Sequence, residues 1–439
     1  MDPEPPPRRR LSVPSHRIWL PVLSRRVPFV VGGLSVGAIA IAMAKLADGA
    51  QEAFAALREA WPLAPVLVTP AGFGLSAWLT RRFAPTAGGS GIPQVIAAMR
   101  EADPAAQSRL VSLKVAAAKI VLLILGLLCG ASAGREGPTV QVGAAAMAAM
   151  GRLARHREPG LLLAGSAAGV AAAFNAPLAG LIFGIEEMSR SFEVRTSGLI
   201  LGTVIAAGFT SLAILGDYAY FGITPEVLPL GPAWVAVPVA GIVCGLAGGL
   251  FSRGIVAMSQ GLPGRPGAWI KAHPVAFAVL CGLGVVACAF AADGTVFGTG
   301  YAQAQAVLRG DAGLPLAFAP AKLVATALSS VSGIPGGLFS PSLAVGAGIA
   351  RDLAPLLPPM PLAVLGVLCM AAYLAGVVQA PLTSFVIVAE MTSDHALVVP
   401  IMLSSLIASQ ASRLVCPDGV YHALARRFAA PDRELAPGP

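Results

Sequence analysis

Charged residues leave long gaps along this chain. Uncharged runs cover 27–44, 60–80, 159–185, 196–216, 227–252, 323–350 and 353–389. Each reaches or approaches the roughly 20 residues that a helix needs to cross a bilayer. Seven such runs predict an all-α polytopic membrane protein. Composition agrees: 56% of the residues are hydrophobic and 12% charged, about half the charged fraction of a soluble domain. A length of 439 residues would otherwise suggest several soluble domains, but the apolar excess overrides that prior.

The net charge is +8, and its placement is more informative than its size. Arg8, Arg9, Arg10, Arg17, Arg25 and Arg26 precede the first span, and Arg413, Arg426 and Arg427 follow the last. Positive loops stay inside, so both termini are expected in the cytoplasm. Pro5, Pro6 and Pro7 lead a polar segment without the apolar core and small-residue cleavage site of a signal peptide. The expected division is a basic N-terminal segment (1–27), a transmembrane domain (28–428) and a short polar tail (429–439). Membrane orientation accounts for the arginines without a nucleic-acid partner. The cysteines (129, 244, 281, 288, 369 and 416) form no C-x-x-C pair and read as small packing residues.

Glycine (50) and proline (37) are abundant for so apolar a chain. A broken helix survives in lipid only where protein or a water-filled cavity satisfies the freed backbone. Three clusters stand out: Gly89-Ser90-Gly91-Ile92-Pro93, Gly134-Arg135-Glu136-Gly137-Pro138, and Gly333-Ile334-Pro335-Gly336-Gly337-Leu338-Phe339-Ser340-Pro341. The chain also repeats itself. Pro138, Val142, Gly143 and Ala144 recur as Pro341, Val345, Gly346 and Ala347, 203 residues on. Ala176-Pro177-Leu178 recurs as Ala380-Pro381-Leu382, and Glu186 as Glu390, 204 residues on. A nearly constant offset indicates a duplicated unit, with halves of roughly 28–216 and 227–428. Broken helices at matching positions of two halves point to a transporter's substrate site. Whether the halves run parallel or inverted does not follow from the pattern.

Gly or Ser followed by Pro in the first turn starts helices, so each cluster predicts a helix N-terminus inside the membrane. Such ends carry free N–H groups and the positive end of the dipole, and they bind anions. One cluster alone would be no more than a kink for packing. Three of them, two repeat-related, favour an anion site. Ser90 adds a hydroxyl donor, or only an N-cap. Glu136 is a costly carboxylate at an intramembrane helix start. Ionised, it can take the anion's place on the helix-end donors; protonated, it leaves, which makes it a candidate gate and proton acceptor. A pair with adjacent Arg135 is the weaker reading, because neighbours on a helix do not face each other. Glu186 and Glu390 suit a shared capping or pairing role, whereas Glu187 is matched by Met391 and is the better candidate for a function of one half. Lys119 sits between apolar stretches and predicts a buried pair with an unknown partner. Tyr421, by itself, reads as an interfacial aromatic. The histidines (16, 156, 273, 395 and 422) fall near or beyond span ends without metal-ligand spacing.

Gly-Ser-Gly-Ile-Pro, Gly-Arg-Glu-Gly-Pro and Gly-Gly-Leu-Phe-Ser-Pro, in this order, closely resemble the three signatures of the CLC chloride channel and transporter family. Phe174-Asn175-Ala176-Pro177-Leu178-Ala179-Gly180 and Tyr421 also match, so the resemblance spans roughly 28–428. It implies two inverted repeats of tilted and broken helices, and a homodimer in lipid with one anion path per subunit. It implies that Ser90 and Tyr421, flanked by Gly89 and Gly91, hold a central chloride with the amides of Leu338 and Phe339. Amides around Arg135, Glu136, Gly137 and Ser340 would line an outer site where the Glu136 side chain competes. Glu187 matches the inner proton-transfer glutamate of the family's exchangers. The resemblance thus implies a proton–chloride antiporter of compact bacterial type in the inner membrane, without cofactor, metal or enzymatic activity. Ser90 in place of proline resembles the chloride-preferring rather than the nitrate-preferring members.

Some positions depart from the family. Gln94 and Ile96 stand where many members are acidic, which leaves Lys119 without an expected partner there. Ser340 replaces a commoner alanine and is expected to matter little, its backbone being the ligand. A passive chloride channel of the same fold is the first alternative, opposed by Glu187. A fluoride-selective exporter would differ in the first signature. An intramembrane serine protease is a remote one: Gly88-Gly89-Ser90-Gly91 fits a nucleophile motif, but a base is needed within reach, and only Lys119 is conceivable.

Overall fold

The computed structural model describes residues 19–153, 160–189, 194–216, 219–222, 226–394 and 396–428. Arg8, Arg9, Arg10, Arg17, His16, His156, His395 and the tail 429–439 lie outside the described residues. The first half contains α1 (Trp19–Ala60), α2 (Ala64–Phe83), α3 (Ile92–Arg100), α4 (Pro104–Leu110), α5 (Leu113–Leu128), α6 (Glu136–Leu153), α7 (Gly160–Phe174), α8 (Pro177–Phe183) and α9 (Val194–Leu215). The second contains α10 (Ala236–Gln260), α11 (Gly264–Ala272), α12 (Pro274–Ala291), α13 (Tyr301–Leu308), α14 (Phe318–Val331), α15 (Phe339–Leu353), α16 (Leu362–Val378), α17 (Pro381–Thr392), α18 (Val398–Val415) and α19 (Val420–Ala425). Six described segments are long and apolar enough to cross a membrane.

The uncharged runs and the helices do not coincide one for one. Runs 159–185 and 353–389 each hold two helices, broken at Asn175 (φ 53°) and Gln379 (φ 61°). These breaks sit 204 residues apart, so even the rare left-handed backbone is repeated. Conversely, α5, α12 and α18 fall outside the seven runs, although each belongs to a segment of spanning length. Lys114 and Lys119 interrupt α5, and its apolar character survives because Lys119 is turned inward.

The two halves are inverted repeats, and their equivalent elements grip each other reciprocally. Gly134 N–H donates to Gly337 O at 2.8 Å, and Gly337 N–H donates to Gly134 O at 2.7 Å. Glu186 accepts from the amides of Leu382 (3.1 Å) and Thr383 (2.6 Å) at the start of α17. Glu390 accepts from Leu178 (3.1 Å) and Ala179 (2.6 Å) at the start of α8. Exchange between matched partners is what a local two-fold relation between the halves produces. It gives the repeated glutamates the capping role expected of them: each neutralises the dipole and the free amides of the other half's helix.

Helices cross at small residues, as lipid-embedded helices must when dispersion rather than the hydrophobic effect joins them. Gly241, Gly245 and Gly249 form a stripe on α10 that meets Ser404, Ala408 and Ser412 of α18. A Cβ on Gly245 would lie 2.5 Å from Ala408 O and 2.7 Å from its Cα. Substitution Gly245→Leu should therefore force the pair apart at a cost of about 1–3 kcal/mol or more. The expected readout is a lower melting temperature of the detergent-solubilised protein. Gly254 on the same helix has nothing within 4 Å of such a Cβ, so Gly254→Leu should leave that temperature unchanged.

Candidate functional site

All three Gly/Pro clusters open helices: Gly91 caps α3, the second cluster enters α6 at Glu136, and Leu338 caps α15, which begins at Phe339. They are tied to one another by main-chain bonds. Gly89 N–H donates to Ile334 O (3.0 Å) and Gly336 N–H to Gly89 O (3.2 Å), while the Gly134–Gly337 exchange links the other two. Three N-termini are thus held at one buried point. Glycine is required at the first cluster for a definite reason. Gly91 has φ +103° and a Cβ there would stand 2.9 Å from Gln141 Cβ and 3.0 Å from Gly137 O. The side chain of Ser90 lies directly against Gly137, where a Cβ would displace it.

The Ser90 and Tyr421 hydroxyls are neighbours. Both are buried, and neither meets a protein hydrogen-bond partner beyond the other. Two buried hydroxyls side by side keep donor capacity that a ligand or ion could use. Tyr421 is fully buried on α19 rather than interfacial, which corrects the reading of that residue taken alone. Phe339 closes the wall of the site, its ring centroid 6.0 Å from Tyr421, 5.9 Å from Phe174 and 6.0 Å from Phe183. The lining therefore consists of helix-end amides, two hydroxyls and aromatic edges. That set, rich in N–H and O–H donors, suits a small anion better than a cation.

Glu136 is fully buried, and its carboxylate sits at the N-terminus of α15. Oε2 accepts from the Ser340 amide at 3.4 Å, and Oε1 accepts from the Ser340 hydroxyl. The side chain of Ser340 is therefore not neutral, contrary to expectation: its Oγ adds a donor that alanine would lack. Arg135 turns away from Glu136. Its guanidinium donates to Ala44 O (2.8 Å), pairs with Asp48 (2.6 Å) and reaches the Tyr220 hydroxyl (3.3 Å). Above it opens a cavity of about 540 Å³ whose lining includes Asp48, Glu52, Arg58, Arg135, Tyr220 and Tyr301.

Glu187 is buried in a π-helical turn, Gly184–Ser189, that continues α8. Single π turns of this kind are frequent at functional sites. Tyr421 lies near both Glu187 and Glu136.

Lys119 is fully buried, and its partner is not in the first signature. Its ammonium donates to Gln141 Oε1 at 2.8 Å. Gln141 Nε2 in turn donates to Leu110 O (2.7 Å) and Thr86 O (3.3 Å). Gln94 serves the loop instead, donating to Gly88 O (2.6 Å) and Thr86 O (3.1 Å) just ahead of Ser90. A serine-protease dyad of Ser90 with Lys119 is not formed. A second buried lysine escaped notice: Lys322 donates to Val296 O (2.8 Å) and Gly298 O (2.7 Å). It lies 203 residues after Lys119, so the repeat offset could have found it.

Residues 71–413 match the family described as voltage gated chloride channel. The chain belongs to that family. Among curated CLC relatives, the H(+)/Cl(-) exchange transporter ClcA of Salmonella agona is 32% identical over 408 residues, covering 86% of this chain and 81% of its own length. The protein of that name from Yersinia pseudotuberculosis is 32% identical over 415 residues, covering 89% and 81%. Among solved structures, a slow cyanobacterial Cl-/H+ antiporter superposes with a TM-score of 0.79 at 27% identity, over 93% of this chain and 99% of its own. A CLC-type fluoride/proton antiporter superposes with a TM-score of 0.76 at 22% identity, over 92% and 98%, a likeness of fold.

If the two neighbouring hydroxyls serve a halide, removing one should weaken its binding. For Tyr421→Phe and for Ser90→Ala, calorimetric titration with chloride should show about a tenfold loss of affinity, some 1.4 kcal/mol. Affinity unchanged in both variants would move the anion elsewhere.

Proposed function

We propose that this protein is a secondary active antiporter that exchanges chloride for protons, with Glu136 as the movable gate and Glu187 as the second proton group. One observation carries the reading: the Glu136 carboxylate rests on the α15 amide that an anion would need, held there also by the Ser340 hydroxyl. An ionised carboxylate and a chloride compete there for one set of partial positive charges. Protonation removes the carboxylate's advantage, so chloride entry and proton uptake become one event. Tyr421 and Ser90 hold the central anion on the near side of Glu187. A proton then moves between Glu136 and Glu187 past the same tyrosine. The names of the ClcA relatives and of the cyanobacterial antiporter support this exchange.

The same reading includes a homodimer with a separate path in each subunit, an inner-membrane location and cytoplasmic termini. The arginine bias at both ends supports the orientation. Outward-facing apolar side chains on α8, α9, α17 and α18, among them Leu178, Phe209, Leu382 and Leu414, suit contact with lipid or with a second subunit. The residues act as transport ligands and gates; no chemical transformation of a substrate is assigned to them.

The test is made on purified protein in liposomes. A chloride gradient is imposed, the voltage is clamped with a potassium ionophore, and external pH is followed. Protons should be driven uphill by chloride. Glu136→Ala should abolish proton movement and keep chloride flux; Glu187→Gln should reduce proton flux far more than chloride flux. Chloride flux without proton movement in the unaltered protein would leave the passive channel as the reading.

Ser340 supplies a separate test of the competition. Ser340→Ala removes one hydrogen bond to the carboxylate, so chloride should displace Glu136 more readily. Half-saturating chloride should fall by about tenfold, the equivalent of one such bond at roughly 1.4 kcal/mol. The effect should vanish in a Glu136→Ala background, because no carboxylate is left to compete.

A further inference from the structure

His422 follows Tyr421 on α19, yet it neither lies outside the membrane domain nor faces solvent: 7% of its surface is exposed. Its imidazole lies between two elements. Arg100, the last residue of α3, approaches Nδ1 at 3.3 Å. On the other side, Nε2 lies 3.0 Å from the carbonyl oxygen of Glu187 and 3.6 Å from its carboxylate Oε1. The tautomer follows from the partners. A guanidinium can only donate, so Nδ1 accepts; a carbonyl can only accept, so Nε2 carries the hydrogen. The neutral imidazole thus satisfies both neighbours at once. Among the described residues nearby, Glu186 is engaged with the α17 amides, and Arg426 pairs with Asp418 at 2.9 Å.

We propose that His422 is a positioning residue for the proton branch, fixing the π-helical turn that presents Glu187. The proposal rests on the reading of Glu187 as a proton group. Its geometric basis is that the hydrogen bond goes to the main chain of Glu187 itself, at a turn whose own i→i+5 bonding is looser than an α-helix. The same imidazole joins that turn to α3, whose opposite end carries Ser90, and it rides on the six-residue helix that carries Tyr421. One side chain therefore holds the inner glutamate in register with both hydroxyls of the anion site. A carboxylate displaced by about an ångström is a poor proton partner, at a cost of tenfold or more in rate.

The experiment compares proton and chloride fluxes in the liposome assay for His422→Ala, His422→Gln, Glu187→Gln and the His422→Ala/Glu187→Gln pair. His422→Ala should lower proton flux by about tenfold with chloride flux little changed. Glutamine, which can donate to the Glu187 carbonyl and accept from Arg100, should restore most of it. The paired variant should carry no fewer protons than Glu187→Gln alone. Arg100→Gln, at an exposed position, should move the ratio in the same direction and serves if His422→Ala fails to assemble. A normal proton-to-chloride ratio in His422→Ala, while Glu187→Gln loses protons, would overturn this role and leave the Glu187 reading intact. Proton and chloride fluxes falling in proportion would also overturn it, as a loss of packing only. Full proton flux in Glu187→Gln would instead remove the reading on which the role depends.

Discussion

The reciprocal pair of main-chain bonds between Gly134 and Gly337 is the contact on which the rest of the molecule depends. Two helix N-termini with like dipole ends repel each other, and their free amides are costly in lipid. Here the backbone just ahead of α6 and α15 closes a two-bond bridge, so the ends approach without leaving those carbonyls bare. A side chain is excluded at Gly337, where a Cβ would lie 2.9 Å from Gly137 N, while one on Gly134 would push against the Glu136 carboxylate. The second bridge, from Gly89 to the strand-like segment at Pro335, adds the third N-terminus. What remains is a concentration of N–H donors at one buried point. The first claimant on those donors is the protein's own Glu136.

The treatment of charge elsewhere follows from the same constraint. Several charges inside the described fold are met mainly by dipoles: Glu186 and Glu390 use helix amides, Lys322 uses two carbonyls, and Lys119 uses one glutamine amide. Arg135 has a carboxylate, and that partner, Asp48, is half exposed. Desolvated ion pairs seldom repay their desolvation, whereas dipoles fixed by a helix or a tight loop cost no reorganisation.

How far this could be read from the sequence depended on the kind of signal. The three clusters were legible because Gly and Pro act locally: they announce helix starts whatever the rest of the chain does. The repeat was legible where identities survived, and it correctly separated Glu186 from Glu187. The 203-residue offset of Pro138 and Pro341 also joins Lys119 to Lys322, and the 204-residue offset of Glu186 and Glu390 joins Asn175 to Gln379, but the first pair is masked by its apolar setting and the second by unlike residues. Gln141 was invisible as the partner of Lys119 because a single amide between apolar residues gives no periodic signal. Tyr421 and His422 were misjudged for the same reason in reverse. Sequence near a span end looks interfacial, yet α19 turns back into the core, a fact that lives only in long-range contacts.

That return of α19 makes the last link. A transporter that couples two ions needs the site of one to report on the other, and coupling of this kind requires a physical connection with alternative arrangements. In this chain the connection is short. Tyr421 shares the central site with Ser90, and the next residue touches both the far end of the Ser90 helix and the turn of Glu187. On the proposed reading, α3, nine residues and about 13 Å long, links the two: Ser90 precedes its N-terminus, and Arg100 at its C-terminus meets the imidazole. One helix and one side chain would then join the proposed anion site to Glu187, without any need for a long network.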